Sequence, residues 1–147
     1  MVRVDKSYAI AYYLRMPTIR SVTSSISIQA PPSAVLDLVG DATTLPLWAP
    51  GFAQSVQAEG DHWLVNDEAL IDLRVSRERG TVDIVSVDQP GRGVFTRVLA
   101  SGDGSEYLFT QFFPDAMPDA DVQRQVEVVE GELETVRRLT EGAHSMT

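Results

Sequence analysis

The stretch DADVQRQVEVVEGELETVRRLTE, residues 119–141, decides the fold. Its apolar residues Val122, Val126, Val129, Leu133 and Val136 recur in alternating steps of four and three, one stripe along an amphipathic helix. Gln123, Glu127, Glu130, Glu134, Arg137 and Arg138 fall on the opposite, solvated side. Upstream, from Gly51 to Phe113, no helical period of this kind appears, and the chain reads as strand after strand. One long helix beside one antiparallel sheet must bury its stripe against that sheet. If the sheet curls around the helix, the gap between them is a ready small-molecule cavity.

The bulk numbers bound the rest. The chain has 147 residues, the size of one domain with a real core, and 44% of them are hydrophobic. A net charge of -9 repels phosphate backbones and argues against nucleic acid as a partner. There is no cysteine, so disulfides, thiolate metal sites and cysteine nucleophiles are excluded. His62 and His144 lack metal-ligand spacing, so no metal is expected. No apolar run reaches membrane-spanning length, and a cytoplasmic protein is the expectation. Lys6 is the only lysine among many arginines, a bias associated with GC-rich bacterial coding.

Residues 1–21 are set apart as an N-terminal extension, with residues 22–147 as the domain. Tyr8 to Leu14 (YAIAYYL) is a short apolar run after Arg3 and Lys6. A signal peptide is one reading, but no small-residue cleavage site follows before Pro17. A leader upstream of a start at Met16, and an arm packing on this domain or on a second copy, are the other two.

Ser24 to Ala30 alternates and predicts a first strand. Pro32 opens a short helix to Val39, ended by Gly40, and Asp41 caps a second over Ala42 to Leu45, broken by Pro46. Gly51 to Glu59 reads as a strand, turned by Gly60-Asp61 into its partner His62 to Asn66. Ala69 to Arg77 alternates cleanly; a turn at Glu78-Arg79 pairs Val75 with Val82 and Leu73 with Ile84. Carrying the register onward by pairing Val87 with Val94 puts Phe95, Arg97 and Leu99 on the inner face. The turn Ser101 to Gly104 then sends Glu106, Leu108, Thr110 and Phe112 inward. This register leaves Val94, Val98, Tyr107, Phe109 and Phe113 outside, too apolar for bare solvent. Either the register slips or something covers that face, a partner subunit or the Tyr8–Leu14 run.

The order of strand, two short helices, six strands and a long C-terminal helix resembles the helix-grip fold of the START-like (SRPBCC) superfamily. Residues 26–50, ISIQAPPSAVLDLVGDATTLPLWAP, resemble its opening; residues 97–110, RVLASGDGSEYLFT, resemble the penultimate hairpin of its polyketide cyclase/dehydrase-like branch; residues 126–141 resemble its closing helix. The resemblance implies an α+β domain: a curved antiparallel sheet of about seven strands wrapped around the C-terminal helix, with a long apolar cavity between them. It also implies cavity polar groups, often an arginine, that hold and polarise carbonyls. Arg97 is the position carried over. The histidine-aspartate pairs of some cyclases have no clear counterpart, since His62 flanks a turn and His144 lies in the tail.

On this reading Arg97 and Glu106 are the candidate catalytic pair, an arginine stabilising an enolate and a carboxylate orienting it or acting as base. A structural ion pair is the alternative. Trp48, Phe52, Phe95, Leu108, Thr110, Phe112, Val126 and Val129 are the candidate substrate-binding residues. Asp72, Arg74 and Asp83 read as an outer-face charge network, and Gly131 as a point of close approach or a bend. The expected function is a cyclase or dehydratase of bacterial natural-product metabolism that needs no metal or redox cofactor. A non-catalytic carrier or sensor of a lipid, quinone or pigment is the alternative. A third reading is a homodimer through the outer sheet face.

Overall fold

The computed structural model describes residues 19–146, so the readings of Tyr8 to Leu14 lie outside the described residues. Seven strands form one antiparallel sheet in the order β1-β7-β6-β5-β4-β3-β2. Strand β1 spans Ile19–Ile28, so it begins ahead of the expected domain boundary. Helix α1, Pro32–Val39, starts at its proline and stops at Gly40 as expected. Asp41 accepts a hydrogen bond from the Thr43 N–H at 2.9 Å and caps a 3₁₀ turn over Ala42–Thr44. Pro46 does not break the helix that follows. It lies in the first turn of α2, Leu45–Trp48, where a missing N–H loses nothing.

Strands β2 (Val56–Glu59) and β3 (His62–Val65) turn at Gly60-Asp61, with Glu59 opposite His62. β2 is shorter than expected, because the Asn66 side chain ties the segment ahead of it to the hairpin through the N–H of Gln54. Strands β4 (Ala69–Ser76) and β5 (Thr81–Ser86) pair Val75 with Val82, Leu73 with Ile84 and Arg74 with Asp83, as the alternation predicts. Strands β6 (Gly93–Ser101) and β7 (Gly104–Pro114) pair Arg97 with Leu108, again in the expected register.

The β5–β6 connection is where the register departs from expectation. Val94 lies opposite Ile84, not Val87, and Gly93 lies opposite Val85. The slip is odd, so every side chain of β6 and β7 changes face. Val98, Tyr107, Phe109 and Phe113 are therefore buried and Val94 is half-buried, while Arg97 and Leu99 are exposed. Of the two ways out of an overly apolar outer face, the slip is the one the protein takes. Gly93 makes it possible: a Cβ there would lie 2.4 Å from the Ile84 carbonyl oxygen.

Helix α3 runs Asp119–Ser145 and buries Val126, Val129, Leu133, Val136 and Thr140. It packs over the inner sheet face, which contributes Ile28, Val65, Ile71, Val82, Ile84, Val98, Tyr107 and Phe109 to the same core.

Candidate functional site

Between α3 and the sheet lies a cavity of about 1150 Å³. α2 and the turn after it supply Trp48, Ala49 and Phe52; β4 and β5 supply Ile71 and Ile84; the β5–β6 loop supplies Gln89, Gly91 and Arg92. β7 contributes Phe109, Gln111 and Phe113, and α3 contributes Gln125, Val128, Val129 and Glu132. The lining is predominantly apolar, as small-molecule sites are. Its only ionisable side chains are Arg92, Asp115 and Glu132.

Glu132 is the residue the sequence reading missed. It sits one turn beyond Val128 and Val129, on the flank of the buried stripe, and Gln125 lies two turns before it on the same flank. Burial without a cationic partner pushes its carboxyl up from its ordinary value to about 7. The legible signal was the seven-residue spacing of Gln125 and Glu132 beside an apolar stripe.

Other polar groups face the same interior. Trp48 Nε1 and Gln111 Nε2 are buried without a hydrogen-bond partner, and both residues line the cavity. The Tyr107 hydroxyl is also buried and lacks a well-formed hydrogen bond. Burial pushes that phenol up, the Thr96 side chain opposes the shift, and the Glu132 charge adds to it. Thr96 itself donates to the Val82 carbonyl at 2.7 Å. An unpaired buried N–H or O–H is costly, about 1–3 kcal/mol each, unless a bound molecule supplies the acceptor. The cavity is thus an apolar chamber offering hydrogen-bond donors and one carboxyl that titrates near neutrality.

Most residues proposed from the register sit elsewhere. Arg97, Glu106, Leu108, Thr110 and Phe95 are on the outer face, displaced there by the odd β5–β6 slip. Arg97 is exposed, and Glu106 accepts from the Ser27 hydroxyl at 2.6 Å rather than meeting Arg97. Thr110 shares a hydrogen bond of 2.7 Å with Thr23. Phe112 packs edge-to-face on Phe95 with ring centroids 5.9 Å apart and reaches only the cavity rim. Trp48, Phe52 and Val129 do line the cavity, and Val126 is buried one turn before Val129 in the helix core.

A histidine-aspartate pair exists after all. His62 Nδ1 lies 2.5 Å from Asp72 Oδ1, and Arg74 lies 3.8 Å from the other Asp72 oxygen. Asp72 adjoins the inward Ile71 and so faces outward with Arg74, which keeps this pair away from the cavity. Gly131 is not a point of close approach, since a Cβ there would meet nothing within 4 Å. Among the described residues no cluster of His, Cys, Asp or Glu is placed to hold a metal ion, and no helix is long and apolar enough to cross a membrane.

An open antiparallel sheet gripping one long helix over an apolar chamber defines a START-like, helix-grip ligand-binding domain. The chain belongs to the family described as "Polyketide cyclase / dehydrase and lipid transport", whose model matches residues 20–140. It is thus an SRPBCC protein that binds a hydrophobic ligand. No curated protein sequence matches it.

Solved structures share the fold at low identity. XoxI from Bacillus cereus is 18% identical, covering 82% of this chain and 94% of that one at a TM-score of 0.63. The Zhui aromatase/cyclase from Streptomyces sp. R1128 is 13% identical, covering 84% and 94% at 0.61. The Aha1 dimer from Colwellia psychrerythraea is 12% identical, covering 83% and 96% at 0.63.

Proposed function

We propose that this protein is a cyclase or dehydratase acting on an apolar, carbonyl-bearing substrate, with Glu132 as its general acid and base. The observation that carries this reading is Glu132: a carboxyl inside an apolar cavity, without a cationic partner, poised at about 7. Ionised, it removes a proton from a carbon between two carbonyls. The enolate oxygen that forms accepts hydrogen bonds from Gln111 Nε2 and Trp48 Nε1, donors that the protein leaves unpaired. The enolate carbon attacks a second carbonyl of the same chain, closing a ring. Glu132, now protonated, returns its proton to the alkoxide, or to a hydroxyl that departs as water. Folding a flexible chain so that its carbons meet supplies much of the acceleration. These steps call for no metal or redox cofactor, and family membership together with the fold shared with an aromatase/cyclase supports the assignment.

The test is Glu132→Gln, which keeps the shape and removes the titration. Turnover of a poly-β-ketone substrate should fall by about 10²–10⁴-fold, the usual contribution of a general acid-base group, while substrate affinity is retained. Unchanged turnover would remove Glu132 from the mechanism. A wild-type protein that binds such ligands tightly without converting them would identify a carrier instead.

A further inference from the structure

The outer sheet face is mostly polar: Ser21, Thr23, Ser25 and Ser27 of β1, Arg74 of β4 and Arg97 of β6 all point to solvent. One end of it differs. Ser21, Phe112, Gly93, Val85 and Asp72 follow one another across the strands in a row. Phe95 leans edge-to-face on Phe112 beside that row. Val85 has Asp72 on one side and Gly93, with no side chain, on the other, yet it is 1% exposed. An outward valine with such small neighbours needs a cover.

We propose that this apolar patch is the docking site of the Tyr8–Leu14 segment of the same chain. Three observations favour that occupant. The chain enters the sheet at this end, because Ile19 pairs with Pro114 and Ser21 with Phe112. The five peptide steps from Leu14 to Ile19 span up to about 17 Å when extended. The three strand spacings from β1 to β5 amount to about 14 Å, so the run can lie over Val85. The segment's charge also fits: Arg3, Lys6 and Arg15 outnumber Asp5 in a chain of net charge -9, and Asp72 and Asp83 flank the patch. The patch backs the β5–β6 loop, whose Gln89, Gly91 and Arg92 wall the ligand cavity, so docking there braces that wall.

The full chain has no cysteine, so Ser7→Cys introduces a single site for a nitroxide spin label. Paramagnetic broadening should remove the amide signals of Val85, Gly93 and Phe95. The loss should vanish when Tyr12→Ser and Tyr13→Ser are added. Broadening confined to Arg20–Val22 would overturn the proposal. So would broadening of Gly51, Val128 and Glu132, which would mean a lid on the cavity mouth. In a mixture of isotope-labelled unmodified chain with spin-labelled unlabelled chain, broadening would assign the patch to a second copy and overturn it equally.

Discussion

At the scale of single residues, the protein turns on one carboxyl with a raised proton affinity. The folded state holds the Glu132 proton up to about 7, against an ordinary value of 4.5. Between those values the folded chain binds more protons than the unfolded one, so stability declines as pH rises through that window and levels above it. Glu132→Gln lacks that slope. Thermal melts from pH 4 to 8 should show the variant gaining on the parent as pH rises, and parallel curves would contradict the assignment. Turnover should run the other way, rising toward pH 7 as the carboxyl ionises. Arg97→Leu, by contrast, removes an exposed side chain on the far side of the sheet. Ligand affinity and turnover of that variant should match the parent, and a loss of either would return Arg97 to the site.

At the scale of elements, helix α3 contains a glycine that packing does not require. A Cβ at Gly131 meets nothing, so Gly131→Ala should stabilise the fold by about 1 kcal/mol through helix propensity alone, read as a higher melting temperature. The same scale shows how much of the fold was legible. The α3 stripe, the proline start of α1 and the β4–β5 pairs were readable because each depends on neighbours within a few residues. The β6–β7 hairpin was readable in register but not in facing. Its facing is inherited across the β5–β6 loop, where Gly93 lets the strands close on an odd count. One such step turned Arg97 and Glu106 outward and Tyr107 and Gln111 inward. A rule requiring the more apolar set to be buried would have recovered the correct face, because Val98, Tyr107, Phe109 and Phe113 outweigh Arg97, Glu106 and Thr110.

At the scale of the whole molecule, the cavity exists because α3 and the sheet stay apart at the end held by α2, the β5–β6 loop and the end of β7. Filling it should abolish binding without unfolding the chain. Val128 lines the cavity and is 46% exposed, so Val128→Trp adds bulk at the mouth without enlarging the packed core. An apolar fluorescent probe should lose at least about tenfold in affinity, about 1.4 kcal/mol, with the melting temperature kept. Retained affinity would place the ligand elsewhere.

Sequence by itself determined the architecture: one amphipathic helix, one antiparallel sheet, the caps and prolines that set the short helices, and a family whose members share this fold. These follow from periods and turn chemistry, which are local. Only the tertiary structure decided which side chains meet the ligand. Facing in a sheet is a parity carried through every loop, and a single odd connection at Gly93 reverses it for two strands. The proton affinity of Glu132 is likewise a property of its surroundings, created when α3 closes over the sheet and removes the carboxyl from water.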